Sequence, residues 1–341
     1  MKLNRIMVQI GMGLTGDSSQ DIVYLQNVMK KYKNHKYKEE IFDTCTSLIF
    51  EILPKDKQKK IEDFFCRKNF GVEGSLEEVK AALFLGRVKE AKGILERTID
   101  KIEDSTIYEG NECKEYYSFN EPMEVAIYKN IYKPKKQIED VGENFAKVYF
   151  IYAKLLKKYE TIEKVREGYK KALVWNPVDV NIILAYAETY RTNDDLKNFY
   201  EITKEAFKVA YKQEQLAKCY TNFGDYFLFE NNFETAKGCY LLALQAYNNK
   251  DASKGIAKID HLTNDSIKDP DFSMLKLNFN INDLSLGANE DIIKIAFRYG
   301  KQFIGKKEFG LARYFLKISY DLTKNEKLKR LLEEIPNEEF V

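Results

Sequence analysis

Along most of this chain, apolar residues recur every three or four positions, the spacing that places side chains on one face of a helix. The clearest stretch is 217–250. Counted from Ala217 as position 1, aromatics fall at position 4 (Tyr220), 7 (Phe223), 11 (Phe227), 17 (Phe233) and 24 (Tyr240). Small residues fall at position 8 (Gly224), 20 (Ala236) and 27 (Ala243). This predicts two antiparallel helices. Helices that approach to about 8–10 Å need small residues at the crossing. Gly224 and Ala236 are expected to face each other inside the hairpin, and Ala243 to open the seam to the next one.

The spacing returns. From Ala146, the residues Tyr149, Tyr152, Ala153, Leu156, Tyr169 and Ala172 take matching positions. Pro177 then stops the second helix, because proline lacks a donor and clashes with the preceding turn. A unit from Val180 offers Ile183, Ala187, Tyr190 and Ala206, but Phe199 takes a small position and predicts a splayed hairpin. A further unit near Ile293 has Gly300, Phe303, Phe309 and Ala312. A weaker one covers 72–105, with a turn at Gly86, and with Ser75 and Glu78 as a capping box for its first helix. Residues 19–33 and 37–53 predict another helix pair, ending at Pro54.

This pattern resembles the tetratricopeptide repeat. The resemblance is strong over 146–250 and near 293, and weaker before residue 146. It implies an all-α fold, a right-handed α-solenoid of antiparallel helix hairpins in which each repeat contacts its neighbours. The expected divisions are an N-terminal helical region (1–70), a degenerate repeat with capping helices (71–145) and three repeats (146–250). An irregular segment (251–288) and a C-terminal repeat with a capping helix (289–341) follow. Residues 119–138 resemble a segment that precedes the repeats in prokaryotic members. There Pro122 opens a short helix, Pro134 ends it, and Val125, Ile127, Tyr128 and Ile131 cap the Ala146 hairpin. Leu328, Leu331 and Leu332 predict the C-terminal cap. Residues 263–288, broken by Asn264, Asp265, Pro270 and Gly287, read as a linker, a distorted repeat or a contact loop.

Composition narrows the classes. Six prolines and 17 glycines in 341 residues are few breakers, and no convincing alternating β-branched run predicts a strand. A net charge of +2 argues against general nucleic-acid binding, and the basic clusters at 30–38, 55–60 and 133–136 read as solvated surface. No apolar run of membrane-spanning length occurs. Lys2 and Arg5 precede the apolar run Ile6–Leu14, but it is short, is interrupted by Gln9 and has no cleavage-like site after it. An N-terminal helix or strand-like arm and cytoplasmic residence are expected. Of the five cysteines (Cys45, Cys66, Cys113, Cys219, Cys239) no pair has zinc-site spacing, so reduced and mostly buried thiols are expected. Cys219 and Cys239 fall on opposing helices of one hairpin.

Two glycine strings invite a phosphate reading. Gly11, Gly13 and Gly16 form GxGxxG, which needs a βαβ unit that the following helices do not offer. Gly300 through Lys306 matches GxxxxGK, but Lys307 stands where Ser or Thr must hold magnesium. There Gly300 is a repeat's small position, and Gly305 is expected in the inter-helix turn. The two histidines, His35 and His261, sit in a lysine-rich loop and near a helix end. No catalytic, metal or cofactor constellation is visible, so no enzyme, cofactor or metal is expected.

The resemblance instead implies a concave groove lined by the first helix of each hairpin. Carried over position by position, it selects Lys147, Phe150, Lys154, Lys157 and Lys158, then Asn181, Leu184, Glu188, Arg191 and Thr192. It next selects Lys218, Thr221, Asp225, Leu228 and Phe229 with neighbouring Asn222, and lastly Lys294, Phe297 and Lys301 with Arg298 beside them. The bias is basic, interrupted by Glu188 and Asp225, and suits an acidic or carboxylate-ended peptide. The carboxylate clamp of chaperone-binding members is not reproduced, since Phe150, Lys154, Ala185 and Asn222 depart from it. The expected function is a non-enzymatic protein-interaction scaffold with a protein or peptide partner. The alternative is a peptide-sensing regulator acting on a separate effector, and self-association through the aromatic-rich groove is a third expectation.

Overall fold

The computed structural model describes residues 3–33, 35–55, 57–58, 71–282 and 284–337. The chain forms two compact units, Met1–Gly71 with Glu103–Glu109, and Val72–Ile102 with Gly110–Val341. Cys66 and the lysines at 59 and 60 lie outside the described residues.

The first unit holds α1 (Leu3–Met12), α2 (Ser18–Tyr32) and α3 (Lys38–Ile52). Ile6, Ile10, Leu25, Val28, Ile41 and Cys45 make its core. The GxGxxG string is the end of α1 and the turn after it. A Cβ on Gly13 would fall 2.1 Å from the Tyr24 hydroxyl, and Gly16 takes φ +84°. The Asp21 carboxylate accepts the Thr15 and Gly16 amides at 2.6 and 2.9 Å. The amides a phosphate would need therefore already bind an anion of the chain itself.

The second unit begins with α4 (Val72–Phe84) and α5 (Val88–Glu103), joined through Gly86 at φ +71°. The expected capping box fails here. Ser75 lies one turn inside α4, and the first amide, Val72 N–H, is accepted by the Glu143 carboxylate at 3.1 Å. The main array follows: α7 (Phe145–Leu156), α8 (Ile162–Trp175), α9 (Val180–Arg191), α10 (Leu196–Val209), α11 (Gln213–Phe229) and α12 (Phe233–Ala246). These pack as consecutive hairpins, each also against the next, which is the layout of an all-α helical array. Asp179, Asp195 and Asn232 fix the starts of α9, α10 and α12 by accepting first-turn amides.

Close approach is carried by small residues. A Cβ on Gly168 would meet Ala153 at 2.9 Å. Gly224 faces the Tyr240 ring (2.5 Å from a built Cβ), and Gly255 approaches the same ring from the next helix (2.3 Å). Tyr240 is thus held between two glycines, and its ring fills the space beside them. Phe199 is wholly buried and α9 still packs on α10, so the array absorbs the large side chain.

Between α5 and α7 lies a departure from the all-helical expectation. Strand β1 (Lys114–Tyr117) pairs in parallel with β2 (Gln137–Asp140), Lys114 opposite Gln137 and Tyr117 opposite Asp140. They are joined by α6 (Pro122–Ile127), which runs into a π-helical turn, Tyr128–Tyr132. Four-residue strands rich in Lys, Glu and Gln carry no β pattern of their own, so only long-range contacts define them. This crossover does not merely cap the Ala146 hairpin. Helix α6 packs on α15 (Glu290–Lys306), and Met123, Ala126 and Ile127 share a core with Val180, Tyr211 and Leu216.

The segment expected to be irregular is largely helical: α13 (Lys250–Thr263) and α14 (Phe272–Ile281). The buried Lys237 ammonium holds the turn between them through Asp260 (2.9 Å), Asp269 (3.0 Å) and the Ile267 carbonyl (2.8 Å). The last hairpin pairs α15 with α16 (Phe309–Thr323), and α17 (Glu326–Glu334) covers its end through Leu328. Gly300 lies in α15 against Leu316. Gly305 is inside α15 too, not in the turn, which is made by Lys307 at φ +61°. Cys45, Cys219 and Cys239 are buried free thiols, and Cys113 is exposed. Burial pushes the Cys219 and Cys239 thiols up. Among the described residues, no helix is long and apolar enough to cross a membrane, and no His, Cys, Asp or Glu cluster could hold a metal ion.

Candidate functional site

Helices α7, α9 and α11, the first helices of three successive hairpins, turn one face each toward a common cleft of about 620 Å³. Spacings of three and four put Lys147, Phe150, Ile151 and Lys154 on that face of α7, and Asn181, Leu184, Ala185 and Glu188 on that of α9. Lys218 and Asn222 come from α11. Eight of the sequence-selected residues therefore meet in one place: Lys147, Phe150, Lys154, Asn181, Leu184, Glu188, Lys218 and Asn222. Lys157 and Lys158 do not, lying exposed just past the end of α7.

Arg191, Asp225 and Thr221 are also off the cleft wall, and each is engaged inside the array. Arg191 forks onto Glu188 at 2.5 and 2.8 Å and reaches Asp225 at 3.4 Å. Tyr240 donates to the other oxygen of Asp225 at 2.7 Å. The Glu188 hydrogen bond raises the Arg191 pKa, and burial raises that of Asp225. Thr221 is buried, donating to the Ala217 carbonyl and accepting from Asn249. On the last hairpin, Lys294 pairs with Glu290, Lys301 lies over the Phe297 ring, and Arg298 binds Asn130 of the crossover.

The electrostatic result is a cleft whose acids are already used. Glu188 belongs to Arg191, and Asp179 accepts the Asn181 and Ile182 amides and the Asn120 side-chain amide (2.8 Å). Lys147, Lys154 and Lys218 are exposed, with no carboxylate at ion-pair distance among the described residues. Lys154 lies 5.2 Å over the Phe150 ring and Lys218 touches Asn181 at 3.4 Å. The cleft offers cations and amide groups of Asn120, Asn181 and Asn222. That set suits an anion's oxygens.

Asn120 and Asp179 are lining residues that spacing alone does not select. Asp179 was legible as a helix cap two residues after Pro177, whereas Asn120 comes from the crossover. The backbone there is fixed by Glu124, whose carboxylate accepts the Asn120 amide (2.7 Å) and the Asn176 side chain (2.8 Å). Burial, with the nearby charge of Asp179, pushes the Glu124 carboxyl up to about 7. Burial also works against Glu121, but Lys212 and Tyr314 (2.8 Å) bind it and hold its pKa below the usual value. Neither histidine lines the cleft. His35 sits between Tyr32 and Tyr37 in the first unit, and His261 is exposed in the last turn of α13.

No protein-family model matches the chain, and no curated protein sequence does. Solved structures with similar layouts include pilF of Pseudomonas aeruginosa, at 13% identity and TM-score 0.41 over 79% of this chain and 99% of that one. A tetratricopeptide repeat protein of Parabacteroides merdae aligns at 11% identity and TM-score 0.33, covering 77% and 98% of the two chains. YrrB, described as a TPR protein with an unusual peptide-binding site, aligns at 14% identity and TM-score 0.30, covering 63% and 99%.

Proposed function

We propose that this chain is a non-enzymatic interaction scaffold whose cleft across α7, α9 and α11 holds an acidic segment of a partner protein. One observation carries the reading: Lys147, Lys154 and Lys218 are exposed around three asparagines, while the cleft's own acids are bound within the chain. Charge-assisted hydrogen bonds from those lysines fit carboxylate side chains, and the basic field speeds encounter at low salt.

The test is fluorescence anisotropy with labelled Asp/Glu-rich dodecapeptides at several salt concentrations. Replacing Lys147, Lys154 and Lys218 together by Glu is expected to weaken binding by at least roughly tenfold, about one lost charged hydrogen bond. The paired change of Lys157 and Lys158 to Glu, off the cleft wall, serves as the control and is expected to alter affinity less than about twofold at physiological salt. Equal losses in both variants would remove the cleft as the site.

A further inference from the structure

The lysine cleft does not end at Asn120. The segment 119–126 also lines a second hollow of about 550 Å³. Its walls are largely apolar: Phe119, Val125 and Ala126 from the crossover, and Tyr299, Phe303 and Leu311 from the last hairpin. Asn120 lines both hollows. An extended peptide advances about 3.3 Å per residue, so a segment of several residues laid over Asn120 can place side chains in both.

The apolar hollow is neither sealed nor collapsed. Phe119, Val125, Tyr299, Phe303 and Leu311 are all half-buried and keep surface open to solvent. Its inner wall is pinned at two points, by Tyr314 and Lys212 on Glu121 and by Asn130 on Tyr299 and Arg298. The charges differ between the two ends. The first hollow presents lysines, whereas the second has Asp140 and Lys129 beside its apolar rings, with the Glu121 carboxylate already bound by Lys212 and Tyr314. An acidic side chain is favoured in the first, and in the second a bulky apolar side chain gains most from leaving water.

We propose that the two hollows form one bipartite site for an extended peptide. Its acidic residues meet Lys147, Lys154 and Lys218, and a large apolar residue within a few positions of them enters the notch between the crossover and the last hairpin. This rests on the acidic-segment reading of the cleft and adds to it the apolar anchor, which sets specificity among acidic sequences.

The experiment is selection of a phage-displayed random dodecamer library on the full chain, followed by anisotropy with the enriched peptides as synthetic probes. Enriched sequences are expected to combine two or more Asp or Glu with Phe, Leu, Ile, Tyr or Trp. Changing that apolar residue to Ala is expected to cost about tenfold in affinity on the parent chain. The same change is expected to cost less than about twofold on a Val125→Lys variant, in which the notch is filled. A Leu311→Gln variant gives the same comparison if Val125→Lys does not fold. Enrichment of acids alone, with the alanine change costing less than about twofold on the parent, overturns the bipartite site and leaves the acidic cleft standing. No enrichment of acids at all takes down both.

Discussion

The hairpins between 146 and 250 and the crossover at 114–140 are built from opposite kinds of contact. In the hairpins the close partners are near in sequence: Gly168 meets Ala153, and Gly224 and Gly255 both meet Tyr240. In the crossover they are remote. Glu121 takes its hydrogen bond from Tyr314, Asn130 donates to Tyr299, and Glu124 accepts from Asn176. The close contacts at the hairpin glycines depend on shape, while the crossover is tied by polar groups around a buried carboxylate. Stability in a pure helical array is close to a sum of nearest-neighbour terms. Here one segment adds terms between hairpins that are not neighbours, and the same segment supplies a wall of each hollow.

The comparison can be broken at its hairpin side first. Tyr240→Ala removes the ring held by two glycines and takes the hydroxyl donor from one oxygen of Asp225, so a loss of about 3–5 kcal/mol is expected in urea unfolding. A loss under about 1 kcal/mol would mean that the glycine contacts do not hold the array.

The next effect belongs to the crossover and shows in its pH dependence. The folded chain raises the Glu124 carboxyl from 4.5 to about 7. The protonated form is the one the fold favours, so its stabilisation is full below about pH 4.5 and is lost as pH rises through 7. The size is on the order of 3 kcal/mol. Glu124→Gln is expected to flatten the fall in urea midpoint between pH 5 and 8, and an unchanged slope would deny the carboxyl this role. A smaller change, Tyr314→Phe, deletes one hydroxyl bound to Glu121 and is expected to cost about 1–2 kcal/mol without altering the array's own packing. Last, Lys157→Ala with Lys158→Ala is expected to shift stability by less than about 0.5 kcal/mol, since both side chains are exposed beyond the cleft.

The same division explains what could be read from the chain. Helix hairpins were legible because each needs aromatics and small residues at fixed offsets, as at Tyr220, Phe223, Gly224 and Phe227. Which small residue meets which ring was not, because spacing gives the face of a helix and not its partner. The contact of Gly224 with the Tyr240 ring is one that spacing did not name. The strands at 114–117 and 137–140 were invisible, since their order comes from pairing and not from side-chain alternation. Half the candidate site followed from helix positions. Asn120 and the apolar notch did not, because Asn120 comes from the crossover rather than a repeat helix, and the notch joins residues more than 170 positions apart, as Phe119 and Phe303 are.

Trp175, the chain's single tryptophan, ends α8 with its indole edge-on to Phe145 at 5.0 Å, while its carbonyl accepts the Ser118 amide at 2.8 Å. Its emission therefore reports one joint, the one between array and crossover, whereas far-ultraviolet ellipticity sums every helix. The two optical signals are expected to part during unfolding if end hairpins fray first, and the emission curve alone then times the release of residue 118 from the end of α8.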